Sequence, residues 1–330
     1  MTRERYVAVA LWLASGCAAH ISGLDEPDAA VQPHFPPYQR LSETGLFVDG
    51  QRVAPRIEEF VPRYALWTDG AKKRRWISFP AGGKIAASDP AHWELPIGTT
   101  LWKEFRDPDG RLLETRVIER IGPGSGDDDY WMGAFVWLAD GSDAELAADG
   151  ATNILGTNHD VPSRTQCGTC HRGEVGRALG FSALQLSGSG GGLRLANLSS
   201  RLDVPVADYA IPGDPITRDA LGTLHANCGH CHNDRGAARP DVNMTLQLGL
   251  NATIPSETSI WKNTVGVGLA KYQHAGLSKR VVPGDASSSA VIVRMASRVR
   301  GEQMPPLGTE QVDTNAVAVV SAWIDALPAQ

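Results

Sequence analysis

The stretch Thr99-Thr100-Leu101-Trp102-Lys103-Glu104-Phe105-Arg106-Asp107-Pro108-Asp109-Gly110-Arg111-Leu112-Leu113-Glu114-Thr115-Arg116-Val117-Ile118-Glu119-Arg120-Ile121 reads as a β-hairpin. Thr99 to Arg106 alternates with a period of two, Asp107-Pro108-Asp109-Gly110 is a tight-turn tetrad, and Leu112 to Ile121 resumes the alternation. Working outward, Arg74 to Phe79 and Tyr130 to Leu138 are further strand candidates, the second closed by Asp140-Gly141. Six of the nine tryptophans (Trp67, Trp76, Trp93, Trp102, Trp131, Trp137) fall between residues 41 and 165, which we read as one antiparallel β-rich domain. Large flat side chains there suit a β-sandwich core better than a sugar-binding platform. The basic run Lys72-Lys73-Arg74-Arg75 beside it reads as a solvated turn.

Beyond residue 166 the pattern turns helical. Val317, Val320, Ile324 and Leu327 recur at three- and four-residue spacing, with Asp313 or Thr314 placed to cap the helix start. An earlier helix is expected over Ala286 to Ser297, capped by Asp285 in Pro283-Gly284-Asp285. The Gly-rich break at Gly188 to Gly192 reads as a loop. The fold class is therefore α+β, an antiparallel β-rich N-terminal domain followed by a mainly α domain. We divide the second half into segments 166–220 and 221–330.

With 330 residues, 42% hydrophobic and 21% charged, the chain is long enough for two modest domains of ordinary globular composition. A formal net charge of −6 offers no basic stripe to phosphates, which argues against a nucleic-acid partner. Arg3 and Arg5 precede an apolar stretch from Tyr6 to Ala14 that is too short to span a bilayer, so residues 1–17 read as a signal peptide. It ends Leu13-Ala14-Ser15-Gly16-Cys17, which resembles the lipobox of bacterial lipoproteins, and Cys17 becomes the candidate lipid anchor. A plain secretory signal is the alternative. Residues 18–40, with Pro33, Pro36 and Pro37, suit a tether between lipid and body. The expected location is the periplasm or the outer-membrane periphery.

Five cysteines then divide without remainder. One is Cys17, and four lie in Cys167-Gly168-Thr169-Cys170-His171 and Cys228-Gly229-His230-Cys231-His232. Covalent haem attachment needs two thiols to add to the porphyrin vinyl groups and an imidazole directly after the second thiol to reach iron. The frame occurs twice, so two covalent haems c are expected, with His171 and His232 as proximal ligands. A four-cysteine zinc site, disulfides or a redox dithiol are the rival readings; none requires a histidine after each pair.

Leu221 to Gln330 resembles a mono-haem cytochrome c domain: a helix leading into His225-Ala226-Asn227-Cys228, a Pro-Gly-Asp turn, a helix with Arg294 and Met295, then Gln303-Met304-Pro305-Pro306 and a closing helix. The resemblance implies Met304 as distal ligand, a role for which a thioether is chemically suited. More widely, residues 60–330 resemble a family of bacterial exported di-haem cytochromes in which a β-rich leader with a Leu-Trp-Thr-Asp segment (Leu66 to Asp69) precedes both motifs. Val161-Pro162-Ser163, Gln166-Cys167 and Leu179-Gly180-Phe181 belong to the same match. The family implies haem binding and electron transfer between redox protein partners. For the first haem the nearest distal candidate is His159; His225, His230, His274 and Met132 stay open. The main alternative is a di-haem enzyme, peroxidase- or oxidase-like, with one open haem. The mere 61 positions from Cys167 to Cys228 (228 − 167) favour a carrier. A third reading makes the β region a binder of partner or glycan.

Overall fold

The computed structural model describes residues 36–239 and 241–329. The expected signal peptide, the candidate anchor Cys17 and nearly all of the expected tether lie outside the described residues. Among the described residues the chain is α+β, and no helix there is long and apolar enough to cross a membrane.

The hairpin forms as its residues dictate. Strand β5 (Thr100–Arg106) meets β6 (Leu112–Arg120) across the Asp107–Gly110 turn, where Gly110 takes φ +94° and donates its N–H to the Asp107 carbonyl at 3.0 Å. The hairpin is the centre of a six-stranded antiparallel meander in chain order: β3 (Glu58–Glu59), β4 (Lys72–Ser78), β5, β6, β7 (Tyr130–Trp137), β8 (Ala144–Leu146). A separate two-stranded ribbon, β1 (Phe47–Asp49) with β2 (Arg52–Val53), packs against one face. One large sheet plus a ribbon thus replaces the expected sandwich.

Register fixes what each face carries. Trp76, Trp102, Val117 and Gly133 stand side by side on one face, and Ile77, Leu101, Ile118 and Met132 on the other. The first face builds a tryptophan core with Tyr38, Leu41 and Leu46. Trp102 and Trp137 satisfy their indole N–H groups on Thr44 and Thr115, both at 3.0 Å. Gly133 is required here, because a Cβ would sit 2.6 Å from the Trp131 ring. Five of the six tryptophans are buried, so they serve packing, as expected, and present no platform. The second face receives Phe181, Leu186 and Leu198 from the segment after the first motif.

The basic run is no turn. Lys72–Arg75 opens β4, and alternation sends Lys73 and Arg75 inward on the Ile77 face while Lys72 and Arg74 face solvent.

Six helices follow among the described residues: α1 (Arg164–His171), α2 (Ala183–Leu186), α3 (Pro215–Cys228), α4 (Ser259–Thr264), α5 (Ala290–Ala296) and α6 (Thr314–Asp325). Asp313 caps α6 by accepting the Ala316 N–H at 2.9 Å, and α6 buries Val320, Trp323 and Ile324 against Leu221 and Leu224 of α3. Each such side chain contributes about 1.5–3 kcal/mol. The expected helix at 286 starts later, at Ala290, because Asp285 spends its carboxylate on a preceding turn, bonding Ser287 and the Ser288 N–H.

Candidate functional site

The first motif is carried by α1. Ser163 starts the helix with a capping box, accepting the Gln166 N–H at 3.3 Å while the Gln166 side chain accepts the Ser163 N–H at 2.9 Å. Cys167 and Cys170 then lie one turn apart, with His171 closing the helix. His171 Nδ1 donates to the Arg177 carbonyl at 2.6 Å. A carbonyl can only accept, so the proton is fixed on Nδ1 and the Nε2 lone pair is left for a metal. Burial pushes this imidazole down to about 4, neutral at physiological pH.

The second motif ends α3. Asp214 caps that helix through the Thr217 N–H at 2.8 Å, with Pro215 at its first position. Cys228 is its last residue, and the chain continues to turn, the N–H groups of Cys231 and His232 both donating to the Cys228 carbonyl. These residues open into a cavity of about 530 Å³. Cys228, Cys231 and His232 line it together with Met304, and Leu224, Val242, Leu246 and Met295 supply apolar wall. Met304 is held there by its own N–H, which donates to the Arg294 carbonyl at 2.9 Å. Arg280 and Arg294 bring positive charge to the same cavity, and burial lowers the proton affinity of both. His232 is 7% exposed, its Nδ1 has no partner, and burial holds its imidazole down at about 4.

The two motifs adjoin. The Cys170 and Cys231 side chains interact, which pulls Cys170 down and, with burial, pushes Cys231 up. Thr169 and Cys170 of the first motif line the cavity of the second. A Cβ on Gly173 would collide with the His230 carbonyl, so backbone meets backbone between the motifs. Gln247 crosses the same boundary, donating to Glu174 at 2.7 Å and contacting His92 at 3.0 Å. Cys167, Cys170, Cys228 and Cys231 are all free thiols. Among the described residues no three His, Cys, Asp or Glu side chains are gathered to hold a metal ion, so the four thiols do not form a zinc tetrahedron.

The remaining distal candidates are placed as follows. His159 is 8% exposed and its Nε2 lies 2.8 Å from Glu114, whose carboxylate also takes two bonds from Arg116. Ligation through that nitrogen requires this bond to be given up. His225 accepts the Leu248 N–H on Nδ1 at 3.1 Å, His274 is exposed, and Met132 is buried on β7. His230 Nδ1 is buried with no partner. Sequence reasoning missed the Arg116–Glu114–His159 cluster and its neighbours Lys103 and Arg75. The strand alternation that defined the hairpin was the signal that placed them on one inward face.

Set against models of known protein families, curated proteins and solved structures, the chain shows no significant match to any.

Proposed function

We propose that this chain is an exported c-type cytochrome with two covalent haems, one on Cys167, Cys170 and His171 and one on Cys228, Cys231 and His232, and that it carries electrons between redox protein partners. The observation that carries the reading is the cavity that Cys228, Cys231, His232 and Met304 line together and that reaches Cys170 of the other motif. Its volume lies in the range of small-molecule and cofactor sites, and much of its wall is apolar. Bound haem would supply one-electron chemistry. The protein's part would be to present neutral imidazoles, place a thioether in the same cavity as His232, and keep the two centres close. His171 meets the first requirement through its Nδ1 bond to Arg177. The orphaned Nδ1 of His232 and the buried Arg177 Nε and Nη1 atoms, also without partners, suit a site completed by a bound group. The reading includes a lipid on Cys17 that keeps the protein at a periplasmic membrane face.

Expression with haem maturation tests this directly: intact mass should show two haem additions, and one or none overturns the reading. In the loaded protein Met304→Ala should abolish a sulfur-to-iron charge-transfer band and lower the potential of the second haem. A wild-type spectrum without that band removes Met304 from the ligand set. Cys17→Ser should release the protein from the membrane fraction; unchanged partitioning removes the anchor.

A further inference from the structure

Helix α5 ends at Ala296, and the last four carbonyls of a helix have no partner inside it. Arg294 carries one of them. That carbonyl takes the Met304 N–H at 2.9 Å together with the capping N–H of Ser297 at 3.3 Å. The side chain of the same residue reaches the same stretch a second time, its Nε donating to the Glu302 carbonyl at 2.8 Å. Between α5 and these bonds the chain folds on itself. The N–H groups of Glu302 and Gln303 both donate to the Val299 carbonyl at 3.0 Å, and Gly301 turns at φ +90°. Val299, Arg300 and Gly301 face solvent, so burial does not hold this turn down.

Among the described residues, the hydrogen bonds that fasten the 299–304 turn to α5 both go to Arg294. The guanidinium is itself steadied by Tyr272, with its carbon 4.5 Å from the ring centroid. Arg294, Tyr272 and Met304 line the same cavity as Cys228, Cys231 and His232. The far end of the loop is fastened separately: Arg298 Nη2 donates to the Gln311 carbonyl at 2.8 Å, and Asp69 accepts the N–H groups of Glu310 and Gln311.

We propose that Arg294 is the positioning residue of the Met304 thioether and sets how firmly that sulfur competes for the iron of the second haem. The proposal rests on the two-haem reading with Met304 as a ligand and deepens it. A ligand carried by a loose loop gives up the loop's conformational freedom each time it binds, whereas an ordered loop has given it up beforehand. The two bonds act at residues 302 and 304, on either side of Gln303, and order the backbone that carries the sulfur. The Nε–H donor is the working part rather than the charge. Glutamine places its amide nitrogen at the same position along the side chain as Nε of arginine, while methionine and lysine have no donor there.

The test is competition by imidazole in the ferric, haem-loaded protein, read in the sulfur-to-iron charge-transfer band. Imidazole nitrogen binds the iron as the Met304 sulfur leaves, so its apparent affinity reports how often the thioether is released. Arg294→Met should raise that affinity about tenfold, the equivalent of one net hydrogen bond, and Arg294→Gln should return it to within about twofold of wild type. Arg294→Lys, which keeps the charge but not the donor, should behave as Arg294→Met does, and it carries the test if Arg294→Met fails to fold. Arg298→Met loosens the far end of the same loop and should leave the affinity near that of wild type. An equal rise in Arg298→Met, a wild-type affinity in Arg294→Met, or no recovery in Arg294→Gln overturns the assignment. A second readout needs no iron: in haem-free protein the Met304 amide proton should exchange about tenfold faster in Arg294→Met than in wild type, and equal rates overturn the positioning. Intact mass and the wild-type band separate the two claims. A wild type without haem on Cys228 and Cys231, or with haem and no charge-transfer band, overturns Met304 ligation and this proposal together. A wild type that shows the band beside an Arg294→Met of unchanged affinity overturns the positioning alone.

Discussion

His225 shows how burial sets chemistry at a single residue. It lies one turn before Cys228 and accepts the Leu248 N–H on Nδ1, which it can do only while neutral. Burial, with His230 and His92 nearby, holds its imidazole down at about 4. An unfolded histidine titrates near 6.5, so between those values the unfolded chain binds a proton that the native one refuses. The stability this residue lends is complete above about pH 6.5 and is lost progressively as the pH falls toward 4, with a limiting slope of about 1.4 kcal/mol per pH unit. Glu174, pushed up to about 7 by burial, acts in the opposite sense and weakens the native state as pH rises toward 7. The informative quantity is therefore a difference between variants. In His225→Asn, whose side-chain oxygen can replace Nδ1 as acceptor, denaturant midpoints should fall less steeply on acidification than in the wild type. His171 and His232 are displaced the same way and keep part of the slope. Equal slopes in both proteins would show that His225 is not the buried neutral group described.

At the scale of elements, the Leu66–Gly70 segment acts as a strap from the sheet to the second motif. The Trp67 N–H donates to Asn227, the residue before Cys228, at 2.7 Å, and its indole N–H to the Gln311 carbonyl at 3.1 Å. Asp69, at φ +45°, accepts the N–H groups of Glu310 and Gln311 at 3.0 and 2.8 Å, in the loop after Met304. Nearby, Gly222 of α3 lets the Tyr64 ring lie against the helix, where a Cβ would overlap it. Asp69→Ala should cost about 1–2 kcal/mol, from lost hydrogen bonds and a Cβ kept in left-handed backbone without an Asp side chain to support it. Thermal unfolding should register that loss, and proteolysis should open the loop over 305–311 first; a variant as stable and as resistant as the wild type sinks the strap. The Leu-Trp-Thr-Asp segment was legible in the sequence only as a resemblance, since its bonds join residues some 160 and 240 positions apart. The hairpin, by contrast, was legible to within a residue, because turn chemistry and alternation are both local. The basic run was misread because four successive cations look solvated, although the same alternation, applied through Arg75 to Ile77, turns two of them inward.

For the molecule as a whole, the decisive feature is that motifs 61 positions apart (228 − 167) adjoin, with Cys170 of the first lining the cavity of the second. Sequence spacing showed each motif's internal geometry, with two thiols one turn apart and an imidazole next. It carried nothing about how the motifs sit against each other, which depends on Gly173 packing on the His230 backbone and on Gln247 bridging to Glu174. That juxtaposition has a consequence independent of any bound group. Haem-free protein presents free thiols, and added oxidised glutathione can oxidise pairs of them to disulfides, itself being reduced. Disulfide exchange favours thiols already near one another, and Cys170 and Cys231 are the pair that interacts most strongly across the two motifs. Peptide mapping of such protein under non-reducing conditions should recover the segment around Cys170 linked to the segment around Cys231, and the Cys231→Ser variant should lose that species. On the proposed two-haem reading, haem loading would consume both thiols as thioethers, so the same map of loaded protein should lack the link. Recovery of bonds only within each motif, Cys167 to Cys170 and Cys228 to Cys231, would mean that the two motifs do not meet as the fold has them.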